Sequence, residues 1–424
     1  MIRAVKPKLL TTLPTYTGRL FVGDMFAGIS VALVAIPLSI AIAIASGAPP
    51  AAGLVTAIVG GFLISALGGS RVQIGGPTGA FIVVVYRVIA EHGYDGLVLA
   101  TIMAGAILLI AGLLRAGNLI AYVPEAVVNG FTIGIAIVIA ASQLKDFAGI
   151  EAQGLPADFL PKMQALWNAR HSASWIAAGA GLATLISFVV LRRLAPRIPD
   201  RLVGTVLVSA IVAALVLPVA NIESQYGALP RSLPLPSFPA VTGSRVAELL
   251  PSAFVIAFLA AVESLLSAMV ADRMIGGRHR PNAEVMAQGW ANIGSALFGG
   301  LPATGAIART ATNVRAGGKT PVAGIVHALT ILVVLLAIAP LAGYLAMPAL
   351  AALLMMTAWN MSEPHKWKGY MAAPNEERLL LLLTLLLTVL ADLTVAIGVG
   401  VGVGLALRLR KSKLEAEQWQ PPDA

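Results

Sequence analysis

Cysteine is absent from the 424 residues, which removes disulfide frameworks, thiolate metal sites and thiol chemistry from consideration. Histidine is nearly as scarce, and its five scattered residues form no ligand cluster. Charged residues make up only 12% of the chain, against 58% hydrophobic residues. A soluble domain of this size needs far more charge to cover its surface, so the composition places the chain among membrane proteins. No paired catalytic carboxylates, metal-ligand motif or nucleophile beside a histidine stands out, so neither an enzyme nor a cofactor is expected. Residues 1–16 carry Arg3, Lys6 and Lys8 but no short apolar run with a small-residue cleavage site. A cleavable signal peptide is therefore not expected, and the first span serves as the targeting signal.

What the chain has in abundance is apolar runs. Fourteen can be drawn, near 22–46, 49–67, 77–91, 96–114, 124–142, 172–191, 202–218, 246–271, 284–298, 303–314, 320–338, 341–358, 377–390 and 392–408. The last two are divided only at Asp392, so thirteen spans remain the alternative. A crossing takes roughly 20 apolar residues, and a chain of this length has room for them. The net charge is +9, but the basic residues sit in short connectors, as membrane orientation requires. Arg71, Arg115, Arg192, Arg193, Arg273, Arg278, Arg280, Arg315, Lys319 and Lys366 all fall on one side. The positive-inside bias makes that side cytoplasmic, places both termini there, and leaves no reason to expect nucleic acid as a partner.

Two spans carry a matching defect. Gly75-Gly76-Pro77-Thr78-Gly79-Ala80-Phe81 precedes the third, and Gly299-Gly300-Leu301-Pro302-Ala303-Thr304-Gly305-Ala306 precedes the tenth. Taken singly, such Gly-Pro pairs mark loops. Taken together, they fall at span three of each seven-span half, and an odd span count inverts one half relative to the other. Broken helices at matching positions of inverted halves point to a transporter's binding site. Pro and Thr at each start fit a helix N-terminus, with Thr as the cap. Two such ends facing each other supply unpaired N–H groups and partial positive charge for an anion. Gly79 and Gly305 would let the ligand approach the backbone.

Arg309, one turn into the tenth span, either adds positive potential at that site or snorkels to the cytoplasmic face. Glu263, central in the eighth span, is expected beside the tenth half-helix. It either pairs with Arg309, structurally or otherwise, or couples transport to a cation. Ser267 lies one turn further on. Asp24 and Glu125 open the first and fifth spans as caps, Asp392 marks a turn, and Pro37 kinks or breaks the first span. Gly398, Gly400, Gly402 and Gly404 suggest close helix packing, and 155–171 an interfacial helix.

Four passages resemble the SulP anion transporters. They are Gly112–Leu119 running on to Val123–Gly134, Glu263–Arg273, Asn282 through Gln288 and Gly289 to Gly294, and Ala308–Asn313 followed by Gly317–Pro321. The resemblance spans nearly the whole membrane region. It implies an all-α polytopic membrane protein with 14 transmembrane segments in a seven-plus-seven inverted repeat. Residues 22–118 and 245–339 would form a core, and 119–244 and 340–408 a gate, with half-helices 3 and 10 meeting at the bilayer midplane. Residues 1–21 and 409–424 would be cytoplasmic. The anion site would then comprise Thr78, Gly79, Ala80 and Phe81 with Thr304, Gly305, Ala306, Ile307, Ala308 and Arg309, while Glu263 and Ser267 serve coupling or an ion pair. The implied function is secondary transport of sulfate, bicarbonate or a dicarboxylate across a bacterial inner membrane. Proton-coupled symport, with sodium as the other coupling ion, is the expected mode, and movement of core against gate the expected motion. An uncoupled channel or exchanger, or a nucleobase carrier of the same fold, is the alternative. Family members commonly dimerise and carry a cytoplasmic STAS domain after the last span; here only a basic stretch and Pro421-Pro422 follow it.

Overall fold

A computed structural model of the chain describes residues 6–118, 124–152, 154–195, 198–391, 395–404 and 406–407. Helices form wherever an apolar run was drawn on described residues, and within the segment 155–171. They are α1 (Gly18–Ala45), α2 (Pro50–Leu67), α3 (Ile82–Leu113), α4 (Glu125–Ser142), α5 (Phe159–Asn168), α6 (Trp175–Leu194), α7 (Asp200–Ala214), α8 (Gly243–Ile275), α9 (Pro281–Leu297), α10 (Ile307–Arg315), α11 (Val322–Gly343), α12 (Met347–Met361), α13 (Asn375–Leu390) and α14 (Val395–Gly404). Among the described residues, seven stretches are long and apolar enough to cross a membrane by themselves, namely α1, α2, Gly79–Leu113, Glu125–Ala148, α6, α8 and α11. The remaining helices are shorter. α5 is the helix expected at the interface, and Glu125 lies in the first turn of α4. The expected turn at Asp392, the motif residues 119–123 and the basic tail beyond 407 lie outside the described residues.

Small residues let these helices approach closely. α3 packs most extensively against α9, α11 against α1, and α13 against α4. At the α3–α9 crossing, a methyl group on Gly105 would reach 2.7 Å from Gly289 O, and one on Gly289 2.8 Å from Gly105 O. Backbone contact of this kind is how apolar helices associate without a hydrophobic driving force.

Of the first three helices, two depart from regular geometry and one, expected to, does not. α3 breaks at Gly93, at φ 70°, so the predicted segments 77–91 and 96–114 are its two halves. α2 contains a π-helical turn at Thr56–Gly60, where Leu301 N donates to Thr56 Oγ1 at 2.7 Å. α1 runs unbroken through Pro37, contrary to a break there. The glycines of α14 divide by helical period: Gly400 and Gly404 pack on Thr384 and Pro124, while Gly398 and Gly402 meet nothing within 4 Å. Residues two apart lie on opposite faces of a helix, so the series of four does not form one contact stripe.

Candidate functional site

The two glycine-rich lead-ins pair with each other. β1 (Gly75–Gly76) and β2 (Thr304–Gly305) form a two-residue antiparallel pair, with Gly75 opposite Gly305 and Gly76 opposite Thr304. The 3₁₀ turn Gly79–Phe81 opens α3 beyond β1, and α10 begins at Ile307 beyond β2. The nine residues of α10 rise only ~13 Å, less than half of a hydrocarbon core of ~30 Å. Each helix start leaves its first N–H groups without an intrahelical partner and carries partial positive charge. The pairing thus brings two such ends to one place.

Buried polar side chains hold the crossing in position. Asn292 clasps Ala303, donating from Nδ2 to its carbonyl at 2.8 Å and accepting its N–H on Oδ1 at 3.0 Å. Thr310 Oγ1 accepts from Ile74 N at 3.1 Å and from Ser267 Oγ at 3.1 Å. Ser267 therefore positions α10. Glu284, wholly buried on α9, accepts from Gly69 N and Ser70 N on Oε2 and from Ser264 and Gln288 on Oε1. Those bonds satisfy a buried carboxylate without a cation and fix the connector that leads into β1.

The predicted cap threonines act elsewhere. Thr78 is the N-cap residue of the Gly79–Phe81 turn but makes no side-chain cap bond; its hydroxyl donates to Glu263 Oε2 at 2.7 Å. Thr304 precedes α10 too early to cap it, because Ala306 is the N-cap, and its hydroxyl donates to Ala260 O at 2.9 Å. Gly305 is not open to a ligand, since the Gln73 amide packs where a side chain would sit. Gly79 faces Met361 Sδ on α12 and Ile139 on α4, at 3.0 and 3.3 Å from where a methyl would stand. Ala80, Phe81 and Ala306 are buried, whereas Ile307 and Ala308 are exposed.

Arg309 is buried at 4% exposure and does not pair with Glu263. Its Nη2 donates to Ser39 Oγ at 3.1 Å and to Pro77 O at 3.2 Å, and Nη1 has no hydrogen-bond partner among the described residues. Helical side chains lean toward the helix N-terminus, which carries this guanidinium back over β1. Gly76 leaves it room, because a methyl group there would collide with Nη1. Glu263 is instead half-buried beside the first turn of α3. Sequence reasoning passed over Gln73 and gave no individual role to Gly76 and Thr310; the signal for the first was a lone amide between apolar residues just ahead of the glycine pair.

Just beyond Phe81, a cavity of about 210 Å³ opens between α3, α4, α8 and α13, lined by Val83, Val84, Val138, Glu248 and Thr388 among others. It does not take in Thr78–Phe81 themselves.

Crossed helix starts inside a bundle of apolar helices define a polytopic membrane transporter. The chain belongs to the sulfate permease family, whose model matches residues 21–384. YvdB of Bacillus subtilis (strain 168), a candidate sulfate transporter, is 41% identical over 90% of this chain and 72% of its own length. The bicarbonate transporter BicA of Picosynechococcus sp. is 31% identical over 88% of this chain and 67% of its own. The solved transmembrane domain of a cyanobacterial BicA superposes with a TM-score of 0.81 at 29% identity, covering 90% of this chain and 98% of that one.

Proposed function

We propose that this protein is a secondary transporter of a small anion of the sulfate or bicarbonate class, coupled to protons. The anion sits between the first turns of α3 and α10, at Thr78–Phe81 and Ala306–Arg309, with Thr304 and Gly305 of the expected site holding the strand pair behind it. The observation that carries this reading is the β1–β2 pair, which sets two helix N-termini and the guanidinium of Arg309 around one point. Sulfate and bicarbonate are the anions named for the relatives at 41% and 31% identity.

Glu263 supplies the coupling. When ionised, it occupies the positive end of α3 that the anion needs, held there by Thr78. Two like unit charges ~4 Å apart repel by about 4 kcal/mol at an effective dielectric constant of ~20. A proton on Glu263 removes that repulsion, so proton and anion enter together. Residues 22–118 and 245–339 carry the site as a core that slides against a gate of 119–244 and 340–408. Both termini lie on the cytoplasmic side of a bacterial inner membrane, the side of the basic connectors.

The test is uptake of labelled sulfate, bicarbonate, chloride and a dicarboxylate into proteoliposomes, with and without an inward proton gradient and with sodium varied separately. Accumulation of one anion only under the proton gradient supports the reading. Flux that follows voltage alone identifies an uncoupled channel instead. Uptake of a neutral nucleobase with no anion flux overturns the assignment of an anion site.

A further inference from the structure

On the face that carries the basic connectors, toward the C-terminal end of α10, a second cavity of about 310 Å³ is lined by Arg71, Ile275, Val314, Gly317, Gly318 and Lys319. Arg71 lies in the connector between α2 and β1, and Lys319 between α10 and α11. Both are exposed, and among the described residues neither side chain has an ion-pair or hydrogen-bond partner. Their backbones are nevertheless anchored. Lys319 N donates to Asp24 Oδ1 at 2.8 Å, and Ser70 N, next to Arg71, donates to Glu284 Oε2 at 3.0 Å. Gly317, at φ +97°, meets nothing within 4 Å of where a side chain would begin, so the mouth stays open.

Basic groups crowd this face. Lys8, in the short helix Lys8–Thr12 before the first span, has its ammonium pushed below the ordinary lysine range. Burial is the largest cause, followed by repulsion from Arg280 and Arg71, with Asp272 opposing. Asp272 is itself engaged, accepting from His279 N at 2.8 Å with the His279 ring at 2.7 Å. The positive-inside rule accounts for basic residues on this side. It does not require two of them to converge on a cavity from connectors held by buried carboxylates.

We propose that this cavity binds a phosphate-type group, a compact tetrahedral anion, with Arg71 and Lys319 as its two cationic contacts. A guanidinium and an ammonium are the side chains suited to phosphate, the first as a planar donor fork and the second as a point charge. The group belongs either to an anionic lipid headgroup, as basic pockets beside membrane spans accept, or to free inorganic phosphate. The proposal does not rest on the transport reading, because its two cationic contacts, Arg71 and Lys319, lie in connectors outside Thr78–Phe81 and Thr304–Arg309.

The test uses the full chain in nanodiscs and in delipidated detergent. Binding of phosphatidylglycerol is followed by native mass spectrometry and that of inorganic phosphate by calorimetry, for wild type and the Arg71→Gln/Lys319→Gln double variant. A wild-type signal for phosphatidylglycerol but not phosphate assigns the lipid, and the reverse assigns the free anion. In either case the double variant loses at least ~tenfold in affinity while keeping the wild-type unfolding midpoint in zwitterionic lipid. Neutralising Arg192 and Arg193, in the last turn of α6, leaves binding unchanged. The proposal is overturned if wild type binds neither probe, if the double variant binds as wild type does, or if the Arg192/Arg193 control loses as much.

Discussion

Arg309 reaches its position because Gly76 has no side chain and because Pro77 O and Ser39 Oγ accept from the same guanidinium nitrogen. A lysine there keeps the charge but loses the planar fork. Arg309→Lys should therefore still fold, with an apparent anion affinity lower by roughly ten- to hundredfold, the scale of ~1.5–3 kcal/mol for hydrogen bonds to a charged group. Gly76→Ala should displace the guanidinium and strain a backbone at φ +151°, lowering both the unfolding midpoint and anion affinity. Concentration-dependent uptake and thermal unfolding in detergent would check both. Glu263→Gln keeps an acceptor for Thr78 but cannot ionise. It should transport with a rate indifferent to the proton gradient, and retained gradient dependence would remove Glu263 from the coupling role. The chemistry of these two residues was legible from their type, since ionisable groups in apolar spans are rarely idle. Their partners were not. Glu263 and Thr78 are 185 positions apart and Arg309 and Ser39 are 270 apart, and no periodicity within one helix reports which neighbour a side chain will meet.

Among the elements, the half-helices were readable because Pro77-Thr78-Gly79-Ala80 recurs as Pro302-Ala303-Thr304-Gly305-Ala306, and a repeat makes coincidence a poor explanation. The strand pair was not readable, because two residues alternate too briefly to show a β period. The same limit applies to the way α11 begins. Asp24 lies in α1, where it was expected to cap its own helix. It instead accepts from Lys319 N, Thr320 N and Thr320 Oγ1 just ahead of α11, and from Tyr16 OH. Tyr16 is pushed up to about 12 by burial and then by the Asp24 carboxylate, so its hydroxyl remains a donor throughout the neutral range. Asp24 is fully buried, and each donor left unsatisfied there costs about 1–3 kcal/mol. Asp24→Ala should destabilise the protein by several kcal/mol, while Tyr16→Phe, at a less buried donor, should cost about 1 kcal/mol. Thermal unfolding of the two variants would test this order. Equal midpoints would mean that α11 does not depend on a cap supplied from α1.

For the whole molecule, a sliding core has a consequence at the contact between α3 and the segment containing α5. Lys162, on α5, lies 4.3 Å from the centre of the Tyr86 ring on α3, and Tyr86 OH donates to Leu155 O at 2.8 Å. Tyr86 belongs to the proposed core, and Leu155 and Lys162 to the proposed gate. If the core slides, this contact breaks and reforms in every cycle; if transport needs only local rearrangement around the helix crossing, it persists. A cation–π contact of about 0.5–2 kcal/mol is weak enough to be broken at turnover. Because the chain has no cysteine, a Tyr86→Cys/Lys162→Cys pair provides the only thiols, and a short thiol cross-linker joins these positions alone. Each single variant should still transport, and the double variant should do so until it is bridged. Bridging should then stop anion uptake, while a long flexible cross-linker at the same positions leaves most of it intact. Undiminished uptake by fully bridged protein would restrict the motion to the first turns of α3 and α10, and the division into core and gate would then describe packing without describing movement.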